Sequence, residues 1–224
     1  MILRFRRSEV RDYMLDNKGF DLWADGYDKS VQLSDESNTY PFAGYKQVLN
    51  TIYRRIRENG RKKILDIGLG TGTLTTELYK DGIAVTGIDF SPKMIQIAQE
   101  KMPNARFYEF DFTKGLPDEL LTEKFDYVIC TYAIHHIDRQ HKINLLSLLK
   151  GVLNANGEIL IGDVIFQSQA DMDSCIASSG DEWDDEEVYI VVDELMNDCD
   201  MDVQFIKCSY CSGVCIIRRG AEAI

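Results

Sequence analysis

The chain reads as an α/β protein with a Rossmann-like, doubly wound sheet, mostly parallel and ending in an antiparallel hairpin. Three observations predict this. Five short, near-continuously apolar runs recur between Lys63 and Asp163 with helical patterns between them, the signature of strands covered on both faces. A glycine-rich turn in "ILDIGLGTG", residues 64–72, follows the first run directly. Near the end, "DVQFIKCS" and "GVCIIRR" are strand patterns joined by a connection too short for a crossover helix, so they should pair antiparallel.

Residues 1–45 read as an N-terminal helical cap and 46–224 as the main domain, with a variable segment around 165–187. The stretch "YKQVLNTIYRRI" sets Val48, Leu49, Ile52, Tyr53 and Ile56 at helical spacing, predicting a preliminary helix packed on the sheet. Strands are expected at Lys63 to Ile67, Ala84 to Ile88, Arg106 to Phe110, Tyr127 to Thr131 and Glu158 to Asp163. Ser91 caps a helix from Pro92 to Lys101, with proline at its first position, and Asp138 caps "RQHKINLLSLLKGVL". A polar stretch from Gln167 to Glu187 precedes a helix with Val188, Val191, Val192, Leu195 and Cys199 on one face.

Composition excludes several classes. A chain of 224 residues suits one α/β core with an appended segment. The net charge of −12 argues against a nucleic-acid partner, because neutralisation of phosphates by Lys and Arg supplies most of that affinity. No apolar stretch approaches the roughly 20 residues of a membrane span. The N-terminus "MILRFRRSEVRD" lacks the apolar core of a secretory signal, so a cytoplasmic location is expected. The six cysteines are scattered and expected to be reduced thiols. Only Cys208, Cys211 and Cys215 in "CSYCSGVC" resemble a ligand cluster, and with no fourth ligand nearby and strand-like flanks no metal is expected.

The glycine turn narrows the ligand. Gly68, Gly70 and Gly72 let the backbone turn sharply and a ligand approach without meeting a β-carbon. The spacing is G-x-G-x-G, not the G-x-G-x-x-G of dinucleotide sites, and Thr73 stands where the last glycine would be. Asp66 at the strand end would repel a pyrophosphate and suit an ammonium group. Asp89 ends the second strand roughly 20 residues on, where an acid accepts hydrogen bonds from ribose hydroxyls. After the third strand, Asp111 is in reach of an adenine amine, and Phe110 or Phe112 can stack on the ring.

These segments, with "GIDFSPKMI", "FYEFDF", "FDYVICTYAIHHI" and "LLKGVLNANGEILIGD", resemble the successive motifs of class I S-adenosylmethionine-dependent methyltransferases over roughly residues 60 to 165. Within that superfamily the chain is similar to an uncharacterised bacterial group of small-molecule type. The resemblance implies a seven-stranded sheet with the last strand antiparallel. It implies S-adenosyl-L-methionine as cofactor and S-adenosyl-L-homocysteine as product. It would place the methionine amino group near Asp66, Gly68 and Gly70, the ribose on Asp89 with Phe90 beside it, and the adenine by Asp111 and Phe112. Tyr132 and Ala133 would touch the methionine portion, and His135 or His136 would face ligand or acceptor.

A sulfonium donor needs alignment and exclusion of water, not a nucleophilic side chain, which fits the lack of a G-x-S-x-G turn or catalytic triad. Aromatic faces favour the positive sulfonium, making Trp23, Tyr27, Tyr40, Tyr45 and Tyr132 candidate wall residues. Tyr27, His135 and His136 are the candidates for a catalytic role. The fourth strand is followed neither by an N-P-P-Y sequence of base-amine enzymes nor by the Asp and Asp-Asn pattern of magnesium-assisted ones. The expected partner is therefore a small-molecule methyl acceptor. The acidic run Asp181 to Glu187 reads as a solvated helix entrance, or as a selector of a cationic or neutral acceptor. A non-catalytic S-adenosylmethionine or S-adenosylhomocysteine binding protein on the same fold is the alternative; a nicotinamide dehydrogenase is disfavoured by Thr73 and Asp66.

Overall fold

A computed structural model describes residues 38–60, 63–198 and 201–219. Most of the proposed N-terminal cap, with Trp23 and Tyr27, and Cys199 therefore lie outside the described residues. The described elements are strands β1 (Lys63–Ile67), β2 (Ala84–Asp89), β3 (Arg106–Glu109), β4 (Phe125–Thr131), β5 (Leu153–Phe166), β6 (Ile190–Val191), β7 (Met201–Lys207) and β8 (Ser212–Arg219). The helices are α1 (Tyr45–Glu58), α2 (Thr73–Lys80), α3 (Pro92–Lys101), α4 (Asp118–Leu121), α5 (Arg139–Gly151), α6 (Gln169–Ser179) and α7 (Val192–Asp198).

The sheet order is β3-β2-β1-β4-β5-β8-β7, with the two-residue β6 added beside the end of β5. The pairs from β3 to β5 are parallel, and β8 runs antiparallel to both β5 and β7. This is the expected layout: seven strands, one of them antiparallel, plus one short addition.

The central strands are apolar on both faces because both faces are covered. Leu65, Ile67, Val128, Cys130, Ile159 and Ile161 pack into one core with Leu145, Leu146 and Leu149 of α5 and Leu195 of α7. Ile64, Tyr127, Ile129, Leu160, Val214 and Ile216 point the other way, into a core with Val48, Ile52 and Ile56 of α1, Leu74 and Leu78 of α2 and Ala98 of α3. The period of two thus feeds two cores from one ladder. Gly162 lets α1 lie close on β5: a β-carbon there would sit 2.5 Å from Val48 Cγ1.

Three departures from the sequence expectation have physical causes. The fifth strand starts at Leu153, its register with β4 shifts after the Phe125–Leu153 pair, and it runs on to Phe166. The polar stretch after it holds α6, nucleated by a capping box in which Ser168 and Asp171 satisfy each other's backbone amides. The helix expected from Val188 starts only at Val192, because Ile190 and Val191 pair with Ile165 and Phe166 and Val188 N donates to His135 O at 3.0 Å. Pairing with the carboxyl end of β5 overrides the helical period. No helix among the described residues is long and apolar enough to cross a membrane.

Candidate functional site

The chain reverses its winding direction at β1, which lies between β2 and β4, and a cavity of about 760 Å³ opens over the carboxyl ends of these strands. That is where an open α/β sheet leaves a crevice. Gly68 and Gly70 turn in the left-handed region, with φ of 65° and 55°. Gly68 N and Leu69 N both donate to Ile88 O, at 2.8 and 3.1 Å, tying the turn to β2. A β-carbon on Gly68 would lie 2.6 Å from Ala133 Cβ, whereas one on Gly70 would meet nothing within 4 Å.

Asp89 braces this turn. Its Oδ2 accepts from Gly70 N at 2.8 Å and its Oδ1 from Ser91 N at 2.9 Å, so one carboxylate joins the glycine turn to the start of α3. Asp89 also lines the cavity, where a carboxylate can accept further hydrogen bonds from a ligand. Asp66 is buried at the end of β1, and its Oδ1 has no hydrogen-bond partner. Burial pushes its carboxyl up to about 8; the nearby Thr75 hydroxyl offsets this only in part, and the negative Asp89 adds to it. Phe90 and Phe112 also line the cavity.

Asp111 does not. Its Oδ1 accepts from Thr113 N and Thr113 Oγ1 at 3.0 and 2.7 Å, and its Oδ2 faces Lys114 Nζ at 3.2 Å. It caps the short 3-10 turn after β3, and Phe112 rather than Asp111 reaches the cavity wall. Phe110 packs against the sheet core instead.

The opposite wall is aromatic, imidazole and carboxylate. Tyr132 follows β4 with φ of 50°, unusual outside glycine, and its N donates to Gly162 O at 2.8 Å. Its ring lies 5.4 Å from Phe42 and 5.0 Å from Tyr45 between centroids, so the wall candidates Tyr45 and Tyr132 do meet. Tyr40 stacks on Trp183 at 5.2 Å, and its hydroxyl is hydrogen-bonded to that of Tyr189.

His135 and His136 stand in a 3-10 turn directly after, and both line the cavity. His135 Nδ1 lies 2.7 Å from Oδ1 of Asp163, which is 1 % exposed. On the other side of the ring, His135 Nε2 is 3.7 Å from Glu187 Oε2, and His136 Nδ1 is 3.2 Å from Glu187 Oε1. Burial would lower the basicity of His135, but Asp163 and Glu187 outweigh it and raise the imidazole above its ordinary value.

Asp163, Glu187 and Tyr189 were not among the sequence candidates. Asp163 ends the apolar run of the fifth strand as Asp66 ends that of the first, a signal of the same kind. Glu187 was visible only as the last acid of a run read as a solvated helix entrance or as a selector of a cationic or neutral acceptor; the structure sets it against two histidines in the cavity wall.

Residues 64–157 match the family profile described as a methyltransferase domain. An uncharacterised methyltransferase of Alkaliphilus oremlandii is 35 % identical over 153 residues, covering 68 % of this chain and 69 % of that protein. One of Anoxybacillus flavithermus is 33 % identical over 160 residues, covering 71 % and 72 %. Among solved structures, a DhpI complex with SAH (S-adenosylhomocysteine) aligns at TM-score 0.67 and 16 % identity over 94 % of this chain and 98 % of that one. Magnesium protoporphyrin IX methyltransferase from Synechocystis PCC 6803, also with bound SAH, aligns at TM-score 0.67 and 20 % identity over 96 % and 100 %. The fold is shared with these structures, and on the strength of its bacterial relatives the chain belongs to the methyltransferase family.

Proposed function

We propose that this chain transfers a methyl group from S-adenosylmethionine to a small-molecule acceptor. The observation that carries the reading is a single cavity in which the glycine turn, Asp66 and Asp89 face a wall of aromatic rings and histidines. Two features fit the cofactor. Asp66 holds a buried oxygen without a partner, suited to an ammonium group, and the Gly70 backbone is open where a side chain would stand.

When bound, S-adenosylmethionine supplies an already activated methyl group on a sulfonium. Asp66 and the turn backbone would hold its amino-acid end, Asp89 its ribose hydroxyls, and Phe90 and Phe112 its base. Tyr132, Tyr45 and Tyr40 present aromatic surface to the positive sulfonium and exclude water. His135 and His136 face the acceptor. The net charge of −12 supports a small acceptor over a nucleic acid.

Calorimetry with S-adenosylmethionine and S-adenosylhomocysteine should show binding of both; no heat at millimolar ligand would overturn the cofactor. Transfer of labelled methyl from the cofactor in a fractionated cell extract should place label in the small-molecule fraction. Label confined to protein or RNA would overturn the acceptor class.

Asp66 adds a pH-dependent signature. Its carboxyl is raised from 3.8 to about 8 in the folded chain, so between those values the native state holds a proton that the unfolded chain has lost. The stability it contributes is therefore full at low pH and declines as pH rises towards 8. An ammonium-bearing ligand favours the ionised form, so binding at neutral pH should release protons, up to one per site. The binding enthalpy should then vary with the ionisation enthalpy of the buffer, and Asp66→Asn should remove that variation. A wild-type enthalpy independent of buffer would remove Asp66 from this role.

A further inference from the structure

We propose that His135, His136 and Glu187 form a binding site for a divalent transition-metal ion of the zinc type in the wall of the cavity. One donor atom from each residue lies within 4.8 Å of the other two. Two imidazoles and one carboxylate are a donor set that zinc and its neighbours favour, while hard cations such as magnesium prefer oxygen alone.

The spacing suits an ion. Bonds of about 2.1 Å set adjacent ligand atoms about 3.0 to 3.4 Å apart in octahedral or tetrahedral arrangements. Glu187 Oε1 stands 3.2 Å from His136 Nδ1, and Oε2 stands 3.7 Å from His135 Nε2, so small side-chain turns suffice. The second of these contacts is too long for a hydrogen bond, and Glu187 Oε2 is buried with no hydrogen-bond partner.

Asp163 supplies the outer support that such a site needs. Sitting 2.7 Å from His135 Nδ1, its carboxylate fixes a proton on that nitrogen and leaves Nε2 to face Glu187. Carboxylate, imidazole and metal in line is the arrangement by which a buried acid orients a histidine ligand and makes it more basic. With Nδ1 protonated, the Nε2 lone pair would otherwise face the lone pairs of a carboxylate. A positive centre belongs between them. Lys142 is the nearest competing cation in charge terms, but its ammonium group is hydrogen-bonded to Ile137 O.

The sites that bind metal through exposed thiols have a different signature, and among the described residues Cys208, which is partly exposed, is the one to separate from this site. The inference does not depend on the methyltransferase reading, since its readout is metal content and not turnover. The full chain, stripped with a chelator and dialysed against micromolar zinc or cobalt(II), should retain one equivalent. The cobalt form should show ligand-field absorption without a sulfur-to-metal charge-transfer band. Glu187→Gln should lose the equivalent, and His136→Ala, at the most exposed of the three positions, serves as the second variant if the first does not fold. Asp163→Asn should weaken binding by about 10- to 100-fold. No equivalent retained by the wild-type chain, undiminished binding in a folded Glu187→Gln or His136→Ala, or a sulfur band that Cys208→Ser removes would each overturn the proposal. The first of these outcomes would leave a proton as the positive centre, and cofactor calorimetry would be untouched by any of them.

Discussion

Gly70→Val should weaken S-adenosylmethionine binding by more than about 100-fold, or about 2.7 kcal/mol. Two effects act together. The backbone there has φ of 55°, a conformation that a β-branched residue enters only with strain, and the new side chain would project into space where nothing stands within 4 Å. That space belongs to the cavity whose wall Gly70 forms. A matched control separates strain from occlusion. Gly82 has φ of 82°, also has nothing within 4 Å of its β-carbon position, and lies in the turn after α2, away from the cavity. Gly82→Val should lower the melting temperature while leaving cofactor affinity intact. Gly70→Val binding within about threefold of wild type would show that the turn does not carry the cofactor.

Much of this was legible in the sequence, for a reason tied to the parallel sheet. In such a sheet the ligand rim coincides with strand ends, so residues at the ends of apolar runs are site candidates before any coordinates exist. Asp66 and Asp89 were found that way, Tyr132, His135 and His136 through the resemblance to class I methyltransferases, and all five line the cavity. Asp111 was found by the same logic and does not line it, because a strand-end acid can equally satisfy the backbone of the turn that follows, as this one does with Thr113. Which of the two occurs depends on a turn geometry that spacing does not encode.

The other side of the cavity was not legible, because it is assembled from distant segments. Tyr40 reaches Trp183 and Tyr189 across more than 140 residues of chain, and Glu187 reaches the two histidines from a stretch that looks solvated. The pairing of Ile190 and Val191 with the end of β5 also cut short the helix expected from Val188, a tertiary contact that the helical period does not reveal.

Asp89→Ala should weaken cofactor binding by about 1.5 to 3 kcal/mol through loss of charged hydrogen bonds to the ribose, and it should destabilise the fold as well. The second effect follows from the bracing contacts. Both carboxylate oxygens accept backbone N–H groups, from Gly70 in a part-buried place and Ser91 in a buried one, and removing them strands two donors, the buried one at a cost of about 1 to 3 kcal/mol when no water replaces the acceptor. A fall in affinity alone therefore does not separate direct contact with the ribose from slackening of the glycine turn. An analogue of S-adenosylhomocysteine without ribose hydroxyls does. If Asp89 holds the ribose, the analogue should bind the wild-type chain more weakly than the parent ligand, and Asp89→Ala should bind the two alike. If Asp89 acts only on the turn, the variant should discriminate between them as strongly as wild type does, and the ribose contact would be withdrawn while the bracing role stands. Asp89→Asn sharpens the comparison, since its one carbonyl oxygen can satisfy one of the two amides. It should fall between wild type and Asp89→Ala in stability, yet lie close to Asp89→Ala in its treatment of the two ligands, because the charge that strengthens the ribose contact is gone.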